Sequence, residues 1–160
     1  MRQIKQLRLK WEDESIKIFR PASSYLIQTF EKNYGVIIPN DLREYLTTLN
    51  GTGGECTNEL YEFYPIERIK KISEEFHNWN GVPNYQYIVE RNELKDLFVI
   101  ANFFFNQFVY AVKLNQSENG SNEVYILCGE EYKLIGNTFL EFLDLYINNS
   151  IELQFNEKDK

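Results

Sequence analysis

A chain of 160 residues, 43% of them hydrophobic, is long enough for one domain with a substantial core. Its net charge of −7 speaks against nucleic acid, because phosphate backbones are held chiefly by neutralising them. No stretch nears the ~18 consecutive apolar residues of a membrane span. The first residues, MRQIKQLRLKW, have no apolar h-region and no small-residue cleavage site, so a cytoplasmic protein is expected.

The charge is uneven. Arg2, Lys5, Arg8 and Lys10 stand without an acid among residues 1–10, and removing their +4 from −7 leaves −11 for residues 11–160. A body so acidic attracts basic proteins, although surplus acid also serves plain solubility. Cys56 and Cys128 form no CxxC and are expected as partly buried thiols in a reducing compartment.

In chain order, Leu7, Leu9 and Trp11 alternate with polar neighbours, the period-two pattern of a short strand. Residues 1–20 therefore read as an N-terminal strand extension. Pro21 with Ser23 or Ser24 starts a helix whose inner face carries Leu26, Ile27, Phe30 and Tyr34, and Gly35 ends it in a left-handed cap. Val36 to Ile38 link to Pro39, which opens a second helix that Asn40 or Asp41 can cap. Leu42, Tyr45, Leu46 and Leu49 make its apolar stripe. Asn50-Gly51 stops it, and Thr52, Gly53 and Gly54 form a loop.

Leu60 to Tyr64 reads as a strand. A helix from Pro65 follows, with Ile66, Ile69, Ile72 and Phe76 inward. His77 to Pro83 is a loop, and Tyr85 to Asp96 fits either a short helix or an irregular segment. Leu97 to Phe103 and Phe108 to Leu114 are strands around a tip at Asn106-Gln107. Asn115 to Asn122 is a turn by composition. Val124 to Leu127 and Tyr132 to Ile135 complete a meander. In the last helix Thr138 and Glu141 have capping-box spacing, and Phe139, Phe142, Leu143 and Tyr146 face inward. Residues 156–160 read as a frayed tail. Helices set over consecutive hairpin strands predict an α+β domain spanning residues 1–160, with a mostly antiparallel sheet of about five or six strands.

One stretch is distinctive as a set. Phe30-Glu31 and Tyr34-Gly35 lead through Ile38-Pro39 and Asp41 to a short helix that ends at Asn50-Gly51. With the strands and closing helix that follow, over roughly residues 22–148, the chain resembles the SUKH superfamily, in particular the branch of the fungal cell-wall-assembly-regulator domain and its bacterial relatives. Ile38 stands where that family more often has leucine. The resemblance implies an α+β fold without known catalysis. In bacteria it implies an immunity protein that neutralises a cognate toxin domain, frequently a nuclease, and in fungi a regulatory interaction protein. A regulatory or scaffolding domain with no toxin partner is the alternative.

The residues themselves offer little chemistry. His77 is the only histidine, and no GxSxG elbow accompanies it. A zinc site of Cys56, Cys128, His77 and a carboxylate would lack any closely spaced ligand pair. Gly51-x-Gly53-Gly54 follows a helix and lacks the Lys-Ser/Thr of a phosphate loop; it reads as a turn requiring positive φ. No catalytic residue, metal or cofactor is expected. A partner surface is expected instead, built from Glu55, Glu59 and Glu62 near the glycine loop, Glu130 and Glu131 in a turn, and Trp79, Tyr85 and Tyr87 in a loop. Rings anchor and charges steer in such interfaces. For each acid the simpler reading is a solvated charge, and for Trp79 a loop anchor packed on the core.

Overall fold

Leu7 and Trp11 are buried together with Ile4, an i, i+3, i+7 spacing, whereas Leu9 is 62% exposed. That is helical and not strand periodicity. Arg2–Asp13 forms α1, so the expected N-terminal strand is replaced by a helix. Arg8–Glu12 at 3.8 Å and Lys10–Glu14 at 4.0 Å support it at i, i+4 spacing. The structure, a computed structural model, describes residues 1–155; the tail expected at 156–160 lies outside them.

Ser24–Tyr34 forms α2, capped by the Ser23 hydroxyl, and ends at Gly35 with φ +65°. Asn40–Thr48 forms α3. The elbow between them is held by Glu31, whose Oε2 accepts from the Ile38 N–H at 2.8 Å and from Arg43 Nη2 at 3.0 Å. Pro39 takes the N-cap position of α3 with no side-chain cap, so neither Asn40 nor Asp41 fills the expected role. Asp41 instead accepts from the N–H of Leu42 with Oδ1 and from the N–H of Leu140 with Oδ2. One carboxylate thus serves the first turns of two helices, where negative charge is favoured.

Asn50-Gly51 does more than stop α3. Asn50, at φ +58°, accepts from the Ile66 N–H at 2.8 Å and donates Nδ2 to the Arg20 carbonyl at 2.9 Å. It fastens three segments distant in sequence. We predict that Asn50→Ala costs about 2 kcal/mol, because two backbone groups lose their partner. A urea midpoint within error of the parent protein would refute this role.

Among the described residues, β1 (Tyr61–Phe63), β2 (Lys70–Lys71), β3 (Leu97–Phe103), β4 (Phe108–Lys113), β5 (Val124–Cys128) and β6 (Glu131–Gly136) form one antiparallel sheet. The order is β1-β3-β4-β5-β6, with β2 also pairing with β3. The helix expected from Pro65 is broken into a 3-10 turn (Ile66–Arg68), β2 and the short α4 (Ile72–Glu75). The reason is the edge of β3, whose Val99 and Phe98 need partners and find them in Lys70 and Lys71. Ile66, Ile69, Ile72 and Phe76 are buried as expected, by a route other than one helical face. Between Tyr85 and Asp96 lie α5 (Gln86–Val89) and a 3-10 turn.

α6 (Phe139–Ile147) closes the fold, with the Thr138 hydroxyl accepting from the Glu141 N–H. Its Phe142 and Tyr146 pack on Phe63, and α1 lies on it through Trp11, whose Nε1 donates to the Tyr146 hydroxyl at 3.0 Å. Phe76 and Tyr85 stack at 4.3 Å on the other side of the sheet. The central strands β3 and β4 are buried on both faces.

Candidate functional site

Antiparallel pairing brings three chain reversals to one end of the sheet. Tyr61 pairs with Phe103, Val109 with Leu127, and Cys128 with Glu131. The entry to β1, the β3–β4 tip and the β5–β6 tip therefore sit side by side. Of the expected set, Glu59 lies at this end beside the β1 edge, and Glu130 and Glu131 lie beside β6 at its other side, with β3 and β4 between. The β5–β6 turn is Gly129-Glu130, and Glu131 already begins β6.

Gly129 takes φ +62°, and an ideal Cβ there would lie 3.5 Å from Pro83 Cβ and 3.6 Å from the Asn84 carbonyl. Those are ordinary contact distances, so it is the left-handed backbone that favours glycine here, and residues 83 and 84 lie against this turn. A shallow depression of about 490 Å³ follows, lined by Asn84, Tyr87, Cys128, Gly129, Glu130 and Glu131. Tyr87 is 62% exposed beside it.

The other two aromatics of the expected set lie underneath. Tyr85 is fully buried, so its ring is not available to a partner. Its hydroxyl donates to the Asn106 carbonyl at 2.7 Å, with the carbonyls of Gln107 and Leu127 at 3.4 Å. Burial pushes its ionisation well above the usual phenol range, which keeps the hydroxyl a donor. Trp79 is half-buried, packs edge-on against Phe76 and Tyr85, and donates Nε1 to the Pro83 carbonyl at 2.7 Å. It is the loop anchor that the simpler reading named. Glu59 pairs with Lys10 at 3.5 Å. Glu62 pairs with Arg68 at 3.0 Å. Glu55 lines a separate cleft of about 600 Å³, whose wall includes Lys17, Ile18, Arg20 and Asn50; it does not line the depression at the sheet end.

Three residues at this end escaped the sequence reading. Leu60, Phe104 and Phe105 are 36%, 50% and 71% exposed, and all take positive φ, +71°, +49° and +53°. Asn106 continues the left-handed run at +70°. The turn spans Phe104 to Gln107, two residues more than the expected tip. The signal was present in Phe103-Phe104-Phe105: a strand alternates its faces, so a run of three large rings cannot all enter one core.

Of the groups with chemical potential, His77 is exposed in its loop. Cys56 is exposed and not partly buried as expected, while Cys128 is half-buried, and no disulfide joins them. Local burial, then the charge of Glu62, push the Cys56 thiol up, which makes the nucleophilic thiolate scarcer. Among the described residues no group of three His, Cys, Asp or Glu side chains could hold a metal ion, and no helix is long and apolar enough to cross a membrane.

A search of curated proteins returns no match. The family model described as SMI1 / KNR4 family (SUKH-1) matches residues 21–145, from the residues before α2 into the last turn of α6. The elbow held by Glu31, the Asn50-Gly51 clamp, the sheet and most of the closing helix fall inside that match, and the chain belongs to the SMI1 / KNR4 (SUKH-1) family.

Proposed function

We propose that this chain is a non-catalytic protein-binding domain, and that its partner is a toxin domain which it neutralises by covering the active site or substrate groove. Membership of the SUKH-1 family carries this reading. The acidic balance supports it and adds the kind of partner. The −11 carried by residues 11–160 favours a basic toxin, as nucleases that hold phosphate backbones are, and repels the nucleic acid that such a toxin seeks. Blocking is then steric, and the field speeds encounter. The action takes place in the cytoplasm of the producing cell.

The test is co-expression with a toxic domain encoded beside this chain's gene, scored by cell survival, together with association kinetics on the catalytically inactivated domain. Rescue is expected, with an association rate that falls about tenfold or more between low and high salt. Cell death despite co-expression would refute the immunity reading and leave a regulatory interaction role. Rescue with a salt-indifferent rate would refute the steering.

A further inference from the structure

We propose that the sheet end bearing Leu60, Tyr87, Phe104 and Phe105, framed by Glu59, Glu130 and Glu131, is the docking surface, and that its occupant is a basic protein face presenting apolar side chains between its charges. The inference rests on the reading that the chain works by binding a protein, and adds where it binds and what it accepts.

Phe105 is 71% exposed, Tyr87 62% and Phe104 50%. Large rings left in water at one place mark interaction surfaces far more often than rings scattered singly. The backbone beneath them is unfavourable. Left-handed φ costs an ordinary residue roughly 1–2 kcal/mol, and here Phe104, Phe105 and Asn106 take it consecutively. Such strain persists only where the surroundings impose it. Main-chain bonds from the Phe104 N–H to the Leu60 carbonyl at 2.9 Å and from the Gln107 N–H to the Phe104 carbonyl at 3.1 Å close the turn, and a further hold comes from Tyr85. Its buried hydroxyl holds the Asn106 carbonyl from below at 2.7 Å, and its ring is stacked on Phe76. Tyr85 is thus a positioning residue that presents the two rings ready-made, which lowers the ordering cost of binding.

Charge selects the occupant. A second copy of this chain would bring Glu130 and Glu131 against their own kind, and like charges facing each other disfavour that pairing. An anionic lipid surface is repelled for the same reason. A basic face complements Glu130 and Glu131 at the rim, with Glu59, already paired with Lys10 at 3.5 Å, adding to the field, and with apolar groups between its charges it also covers the rings at the centre. This is the rim-and-core arrangement of protein interfaces.

The test titrates the full-length, 15N-labelled protein with two peptides of equal length and charge, one alternating Lys with Leu and one alternating Lys with Ser. The Lys-Leu peptide is expected to bind at least about tenfold more tightly and to shift the amides of Leu60, Phe104 to Gln107 and Gly129 to Glu131. Phe104→Ser with Phe105→Ser should remove that advantage and leave Lys-Ser binding unchanged. Joint replacement of Glu59, Glu130 and Glu131 by Gln should weaken both peptides and flatten their salt dependence. Tyr85→Phe should move the Phe105 and Asn106 amides in the free protein and weaken only the Lys-Leu peptide. Equal binding of the two peptides, shifts centred elsewhere, or full Lys-Leu affinity in the double Phe variant would overturn the proposal. The inactivated toxin domain separates the two ideas. Failure to bind the parent protein counts against the immunity reading, whereas binding the double Phe variant as tightly as the parent counts against this surface alone.

Discussion

Gly51→Ala is expected to destabilise the protein by about 4 kcal/mol, a size reserved for a few mechanisms. Two of them act here. Gly51 sits at φ +86°, and a Cβ built on it would lie 2.6 Å from the Phe63 carbonyl oxygen and 2.9 Å from Pro65 N and the Tyr64 carbonyl carbon. Those are backbone atoms at the exit of β1, next to the Ile66 N–H that Asn50 holds, so none can swing away as a side-chain tip could. Gly54 provides the control. It has almost the same φ, +84°, and open space around its missing Cβ. Gly54→Ala should cost only the conformational strain, about 1 kcal/mol. Chemical denaturation of the two variants, at matched slopes, separates steric conflict from backbone preference. Equal losses would show that the close approach to β1 is not what requires glycine at position 51.

Trp11→Ala should cost about 3–5 kcal/mol, the range for truncating a large buried aromatic. Trp11 lies outside the family match at 21–145, yet it is fully buried, with the Phe63 ring 5.1 Å away and Phe19 and Tyr45 at 6.2 and 6.4 Å. Its removal leaves a cavity between α1 and α6 and takes a partner from the Tyr146 hydroxyl. Leu9→Ala, two residues away on the solvent side of α1, should change stability by less than about 0.5 kcal/mol. A strand would bury Leu9 beside Leu7 and Trp11, and the two losses would then be comparable. The ratio therefore tests the helix as well as the packing. A loss below about 1 kcal/mol for Trp11→Ala would mean that α1 is an appendage and not part of the core.

Elements were legible where one local pattern had a single solution. α2, α3 and α6 show their stripes, their exits at Gly35 and Asn50-Gly51, and the cap at Thr138, all within a few turns of chain. The meander strands are dense in β-branched and aromatic residues and are separated by turn-forming stretches. Local propensity and burial agree in those segments, so no distant information was needed. α1 misled because Leu7, Leu9 and Trp11 satisfy period two by coincidence. What decides is which of them finds a partner, and Tyr146 and Phe63 lie far along the chain. The segment after Pro65 misled for a similar reason: Ile66, Ile69 and Ile72 have helical spacing, but the hydrogen-bonding demand of the β3 edge prevailed.

Composition and order determined the class of the protein: a single α+β domain of acidic character with a recognisable elbow. The composition of the meander also set its hairpin order, because turns and strands of that kind are local choices. Only the folded arrangement decided which surface stands out. Glu59, Tyr87, Phe104 and Glu130 come from four separate stretches of chain; antiparallel pairing brings the strand ends together, and α5 sets Tyr87 beside the β5–β6 turn. The same arrangement buries Tyr85 and half-buries Trp79, two residues expected as partner contacts. Whether a ring is anchor or support depends on what covers it, and that depends on neighbours remote in sequence, which no local pattern encodes.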